Sequence, residues 1–470
     1  VPIFLCFLSS YSYGQTPYSP EKVFLPEAIT KDVALLQDIL YDFHPAIFQY
    51  KSKESLNVAF DSLKSSKAFL NERQIRIALR KIITQIGCGH TNIIPSQKFI
   101  DYYTKYTPYH LPLEVAQVND KLFVTQDLSP QKKITVGSEL LLVNGENAVN
   151  LAQQICQMES SDGLNHTHKI NEIRHNYRYF CSLLLGNQSC YDITVKDTTD
   201  KVFTHQLYDT YHDSTLHKAN TQAIKAKVNH TWLMNQPYKK LKIDTLHSMA
   251  MFSLEEFEGR RYKKFYKQLF KNLAMHQTQN LVIDLRNNGG GKMFDACELL
   301  KYLIDTPFSY EFKRKKGKNT FKKHMVGGKT WLHFVPFMFK VVAKKTEIND
   351  SLVYRVVCKP QKDYFFKGKT FVLTNGGTFS AASFVAAYLQ QTTQTTIIGE
   401  ETGGSILGTN AMLFTVIRLP ETGIHFRFPL YRLNHVLNFP HEINTKKGVM
   451  PTYQISYNLD DILRGKDKEM

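Results

Sequence analysis

Two stretches far apart in the chain share one plan. "LVIDL" (281–285) is an apolar run of strand length, followed by "RNNGGG" and then by "KMFDACELLKYLI", whose apolar spacing is helical. "TFVLT" (370–374) is followed by "NGGTFS" and then by "AASFVAAYLQQ". A third apolar run, "TTIIG" (395–399), comes soon after. Buried strand, glycine turn and helix in alternation restrict the fold to an α/β sheet with parallel pairing through crossovers. We therefore expect an α/β core over residues 237–457.

The rest of the chain has a different texture. In "TKDVALLQDILYDFHP", Val33, Leu36, Ile39, Leu40 and Phe43 fall at helical spacing and Pro45 stops the helix. "NERQIRIALRKIITQIG" carries Asn71 and Gln74 at capping-box spacing and ends at Gly87. Residues 26–100 thus read as a helical cap. Residues 106–157 turn to short strands ("LPLEVAQV", "KLFVTQD", "SELLLVNGENA") with a turn signal at Asn144-Gly145. Residues 158–236 are polar and read as a connecting region. Residues 309–350 read as an insertion whose "KRKKGK" run is a solvated loop.

Composition limits the functions available. A length of 470 residues with 43% hydrophobic and 21% charged residues fits a folded chain of several domains. The formal charge of +17 comes without a nucleic-acid motif, so specific nucleic-acid binding is not expected. Residues 1–15, "VPIFLCFLSSYSYGQ", read as the remnant of a secretory signal cut near Gly14–Gln15. No later run reaches membrane-spanning length, though contact with a membrane surface stays open. An exported protein, periplasmic or extracellular, is the expectation. Export permits disulfides, and Cys181 could pair with Cys190, which spacing alone does not decide. His166, His168, His205, His212 and His217 lack the partners of a recognised metal motif, so neither metal nor cofactor is expected.

Two motifs can carry chemistry. "DLRNNGGGK" is not a phosphate loop, because Arg286 and Met293 stand where a glycine and a Ser or Thr would be needed. Its glycines can instead bring backbone amides close to a reacting oxygen. Ser380 lies between a glycine turn and a helix. It is either a nucleophile at an elbow or a simple helix N-cap. A serine nucleophile needs a base, and His90 in "CGHTNI", just past a helix end, is a candidate.

Taken together, "LVIDLRNNGGG", "VLTNGGTFSAAS" and "IIGEETGG" resemble the core of the tail-specific (C-terminal processing) serine peptidases. That family also includes the tricorn core and the repeats of interphotoreceptor retinoid-binding protein. "GSELLLVNGENA" resembles the latter half of their PDZ module. The resemblance implies an α/β fold with a mixed-sheet core of the ClpP/crotonase-like type, a helical cap and an embedded PDZ-like β module. It implies Ser380 as nucleophile, with an oxyanion hole from the amide of Ala381 (or Ser380) and that of Gly290. Where the processing-protease branch has its lysine base, this chain has Ser405, and Lys292 stands at no matching position. The tricorn-like branch uses a histidine, which His90 matches, with Cys88 and Gly89 before it. The orienting acid is left among Glu442, Glu400 and Glu401. The implied activity is endoproteolysis of extended or unfolded polypeptide through an acyl-enzyme, rising with pH through about 6.5, the ordinary histidine pKa. The other reading is an inactive binding protein on the same fold, holding a peptide or lipid between cap and core.

Overall fold

The computed structural model describes residues 18–106, 110–208, 232–258, 261–316, 320–326, 344–348, 350–438 and 444–470. The signal reading at residues 1–15 and the candidates Glu442, His212 and His217 lie outside the described residues.

The central sheet has seven strands. Met249–Leu254, Asn280–Asp284, Lys369–Thr374, Thr396–Gly399 and Tyr453–Gln454 run parallel, with Ile283 opposite Val372 and Leu373 opposite Ile398. Met234–Gln236 and Lys239–Asp244 add an antiparallel edge beyond Met249–Leu254. The sheet is therefore mixed, as the fold reading required. Leu281 and Ile283, like Val372 and Leu373, are buried, which accounts for the continuous apolar runs of both strands. Helix Ala381–Thr392 is buried from Ala381 to Leu389, so its N-terminus is a fixed point of the core.

A second sheet lies beside helix Ala381–Thr392. Its order is Lys344–Ile348, Ser351–Cys358, Phe308–Lys315, His425–His435, Gly408–Arg418. Here the reading of the "KRKKGK" run as a solvated loop is corrected for its first half, which is strand. Phe308–Lys315 pairs on both sides, and its alternating Phe308, Tyr310 and Phe312 point into the core. Tyr310 meets Phe384 of helix Ala381–Thr392 edge-on at 5.6 Å. Half of the basic run is also structural, since Lys315 donates from Nζ to the Tyr41 carbonyl at 2.7 Å. The alternation of large and polar residues carried the strand signal, and the lysines hid it.

The cap consists of helices Pro26–Phe43, Lys53–Lys64 and Glu72–Ile83. Asn71 and Gln74 form the expected capping box. The last turn tightens to 3₁₀ over Thr84–Ile86 and closes at Gly87 with φ 69°. Strand Asn92–Ile94 then joins the second sheet, with Phe426 opposite Ile93 and Arg427 opposite Asn92. The buried carboxylate of Asp32 accepts hydrogen bonds from the amides of Glu421 and Thr422 and from the Thr422 hydroxyl. Cap and core thus share backbone pairing as well as apolar surface.

A third, antiparallel sheet begins with Leu113–Val118, Lys121–Asp127 and Glu139–Val143, within the expected β module. It is completed by Cys190–Lys196 and Val202–Tyr208 from the stretch read as a connecting region. Between them runs a helix, Thr167–Leu185, that the polar composition concealed. Its buried side Ile173, Tyr177, Phe180 and Cys181 does fall at helical spacing, but His, Asn and Arg separate its members. Cys181 and Cys190 are both free thiols.

Candidate active site

Two loops leave the C-terminal ends of adjacent parallel strands and lock together. After Asn280–Asp284 comes 285–292, and after Lys369–Thr374 comes 375–380. Asn375 Oδ1 accepts from the Asn287 amide at 2.8 Å, and its Nδ2 donates to Asn287 Oδ1 at 3.0 Å. Thr378 Oγ1 donates to the Leu285 carbonyl at 2.8 Å, and the Phe379 amide to the Asn288 carbonyl at 2.9 Å. Ser380 follows with φ 54° and ψ −118°, a conformation few non-glycine residues adopt. Such a conformation costs about 1–3 kcal/mol and persists where its surroundings over-determine it. Helix N-caps take extended dihedrals and bond the first turn. Ser380 does neither, and its half-buried hydroxyl makes no hydrogen bond among the described residues. The N-cap reading of Ser380 is therefore corrected in favour of an elbow.

The amides of Ser380 and Ala381 also lack hydrogen-bond partners among the described residues. They lie at the positive end of the helix dipole, where an oxyanion is favoured. Gly290 reaches the same place, though not in the expected manner. A β-carbon there would lie 2.7 Å from Ser380 Cβ and 2.9 Å from the Ala381 nitrogen, at a φ of 104°. Only glycine fits. Its amide, however, donates to Asn288 Oδ1 at 2.9 Å, so in this structure Gly290 supplies close approach while the side chain of Asn288 occupies its N–H.

His90 comes from the turn between the 3₁₀ end at Gly87 and strand Asn92–Ile94. Its ring lies against Phe379, the residue before Ser380, with centroids 4.8 Å apart, and against Phe414 at 5.4 Å. Nδ1 pairs with Thr409 Oγ1 at 3.2 Å. No hydrogen bond joins His90 to Ser380. Desolvation of the ring pushes its pKa down to about 4, with Asp162 opposing the shift and Arg427 and His168 adding to it. Burial pushes the neighbouring Cys88 thiol up to about 11, so it is a poor nucleophile near neutrality.

Neither described glutamate meets the imidazole. Glu400 Oε2 lies 3.4 Å from the Gly376 amide. Glu401 is buried and accepts from Asn165 Nδ2 at 2.9 Å and the Gly448 amide at 2.7 Å, so it holds loops together. Ser405 Oγ accepts from the Leu407 amide, and Lys292 pairs with Glu258 at 2.7 Å. No lysine thus takes the place of a base at Ser405.

Three contributors escaped the sequence reading. Thr409 holds Nδ1 of His90. His168 stacks on the other face of Phe379 at 5.0 Å and bonds the Gly376 carbonyl through Nδ1 at 3.1 Å. Asp162, buried in the segment 160–168, accepts the Gly89 amide at 3.0 Å. The planar groups form one stack from His168 through Phe379, His90 and Phe414 to the Arg427 guanidinium, 3.9 Å from the Phe414 centroid. No short motif marks these residues, because the fold collects them from four distant segments.

Residues 248–454 match the profile of peptidase family S41, a span that contains both interlocked loops but not His90. No curated protein matches the chain. Among solved structures, mature CPAF is similar in fold, with a TM-score of 0.61 at 14% identity, over 93% of this chain and 94% of that chain. A point mutant of CPAF gives a TM-score of 0.63 at 13% identity, over 93% and 94% of the two chains. Mature CPAF complexed with lactacystin gives 0.61 at 13% identity, over 93% and 95%. Over residues 248–454 the chain thus matches peptidase family S41, and along nearly its whole length it shares the fold of mature CPAF.

Proposed function

We propose that this protein is an exported endopeptidase that cleaves extended or unfolded polypeptides through an acyl-enzyme on Ser380. The observation that carries the reading is the Ser380 corner. Its backbone is held at positive φ, and neither its hydroxyl nor the amides of Ser380 and Ala381 make a hydrogen bond among the described residues. In the mechanism His90 takes the Ser380 proton as the hydroxyl oxygen attacks the scissile carbonyl. The Ala381 amide, with that of Ser380, receives the oxyanion. His90 then protonates the leaving amine, and a water deprotonated by His90 releases the acyl group. Rotation of the imidazole or of the Ser380 side chain on substrate binding completes the Ser–His contact, since apo catalytic hydrogen bonds are often open. The sheet over residues 113–208 would present peptide by strand addition, as a PDZ module does. Export rests on the apolar leading segment alone, and no described helix is long and apolar enough to cross a membrane.

The Gly290 amide held by Asn288, and an imidazole without a carboxylate partner, favour a second reading as a peptide- or lipid-binding protein. Labelling by a fluorescent fluorophosphonate separates the two. Label that requires both Ser380 and His90 supports the peptidase. A folded wild type that takes no label, with or without denatured protein substrate, supports the binding protein.

A further inference from the structure

We propose that Asp162 is the positioning residue of His90, tying down the turn that carries the imidazole and holding a negative charge beside it, a part that Glu400 and Glu401 do not play. The inference rests on the peptidase reading of Ser380 and His90.

Asp162 is 2% exposed. Its Oδ1 accepts the amide of Gly89, the residue before the base, at 3.0 Å. One residue past the base, the Thr91 carbonyl accepts the Ser160 hydroxyl at 3.1 Å. The Gly163 amide bonds the Gly87 carbonyl at 3.0 Å. Segment 160–163 therefore clamps the His90 turn from both sides. The same segment is anchored to the core, through the Leu164 amide on the Lys446 carbonyl at 2.8 Å and Asn165 Nδ2 on Glu401 and on the Thr402 carbonyl.

The clamp alone would not require a carboxylate, since an amide oxygen accepts equally well from Gly89. What a neutral side chain would not supply is charge. Asp162 Oδ2 is buried with no hydrogen-bond partner in the described structure. A carboxylate oxygen left unpaired out of water is costly unless a cation answers it. The groups around His90 are Phe379 and Phe414 on its faces, Thr409 at Nδ1, and Cys88, His168 and Arg427 nearby. Arg427 and His168 disfavour a protonated ring, and Asp162 is the group that favours one. When His90 takes the Ser380 proton it becomes that cation. Asp162 then stabilises the imidazolium through space, as the third member of a triad does through a hydrogen bond.

The test compares Asp162→Asn, Asp162→Ala and Ser160→Ala with wild type in the full chain. Inactivation by a fluorophosphonate gives kinact and KI separately, and thermal unfolding gives Tm. Asp162→Asn keeps the Gly89 acceptor, so Tm is expected to stay near wild type. Its kinact is expected to fall about tenfold or more with KI little changed. The acid limb of its kinact profile is expected to move to lower pH. Ser160→Ala loosens the clamp without touching charge and is expected to leave that acid limb in place. Asp162→Asn indistinguishable from wild type in kinact and pH profile, with only Asp162→Ala impaired, would reduce Asp162 to a structural tie and overturn the proposal. Histidine-selective NMR, assigned with His90→Gln, follows protonation of the ring in all variants without any reaction. A wild type that does not react but whose His90 loses protonation at pH 4.5 on Asp162→Asn breaks the peptidase reading while keeping the charge coupling. An unchanged titration breaks the coupling itself.

Discussion

The proposed nucleophile and its proposed base are built on opposite principles. Ser380, Gly290 and Asn375 belong to two loops that follow neighbouring strands of one sheet and lock onto each other through Asn375, Asn287 and Phe379. His90 belongs to a turn with little structure of its own. It is held by Thr409 from the second sheet, by Phe379 and Phe414, and by a clamp at 160–163 inserted between the β module and its helix. A self-contained half is expected to fail only when struck directly. A half assembled from remote parts is expected to fail when any of its anchors loosens.

The strongest test is on the self-contained side. Ser380→Ala should reduce hydrolysis of denatured protein by ~10³-fold or more, with Tm almost unchanged because the hydroxyl bonds nothing. Gly290→Ala comes next. The added methyl meets Ser380 Cβ at 2.7 Å and the backbone is at positive φ, so the corner must shift. A loss of about 100-fold or more in activity is expected, as for other displacements of a reacting group, together with a lowered Tm. On the assembled side, Glu401→Ala touches no reacting atom. It leaves the Gly448 amide without its acceptor, at a cost of about 1–3 kcal/mol, and Asn165 Nδ2 with the Thr402 carbonyl alone. Activity and urea midpoint should fall together; activity retained at full stability would show that the base does not depend on this anchor.

Acid sharpens the same contrast. Burial holds His44 and His435 at about 3 and His90 at about 4, all below the ordinary 6.5. Between those values the unfolded chain binds more protons than the folded one. Stability from these groups is whole above about pH 6.5 and is lost as pH falls toward 3. The acid limb of activity is expected near pH 4, not at the 6.5 that a solvated histidine would give. Activity measured in brief exposures that recover at neutral pH, beside urea midpoints at each pH, separates the two losses. An acid limb at 6.5 would mean that the ring is solvated in the working enzyme. The smallest effect expected is a gain. Ser380→Gly relieves the positive φ and should raise stability by about 1 kcal/mol, while abolishing labelling; a loss of stability would mean that the corner is not strained.

The contrast also explains what could be read from sequence. The strand–glycine–helix units announced both the parallel strands and Ser380, because local chemistry dictates a tight turn and a helix start. Asn71 with Gln74, and Gly87, announced the helix that delivers His90. Beyond that point the signals are non-local. Thr409 is an ordinary strand threonine until it meets a histidine 319 residues away. Asp162 and His168 sat in a stretch whose polar composition hid a helix and two strands. Gly290 was expected to offer its amide, but in the structure that amide has a nearer partner in Asn288, which spacing does not reveal. The basic residues 313–315 drew attention from the alternating aromatics that make Phe308–Lys315 a central strand.

Strand Asn92–Ile94, paired with His425–His435, sets an order of events during synthesis. When a ribosome has released Ser380 the nucleophile corner is complete in sequence, yet the strand that seats the base is still unmade. His90, exposed early, has nowhere to dock until some fifty more residues emerge. On the proposed mechanism, a nascent chain would stay unarmed until strand His425–His435 arrives to seat the turn of His90.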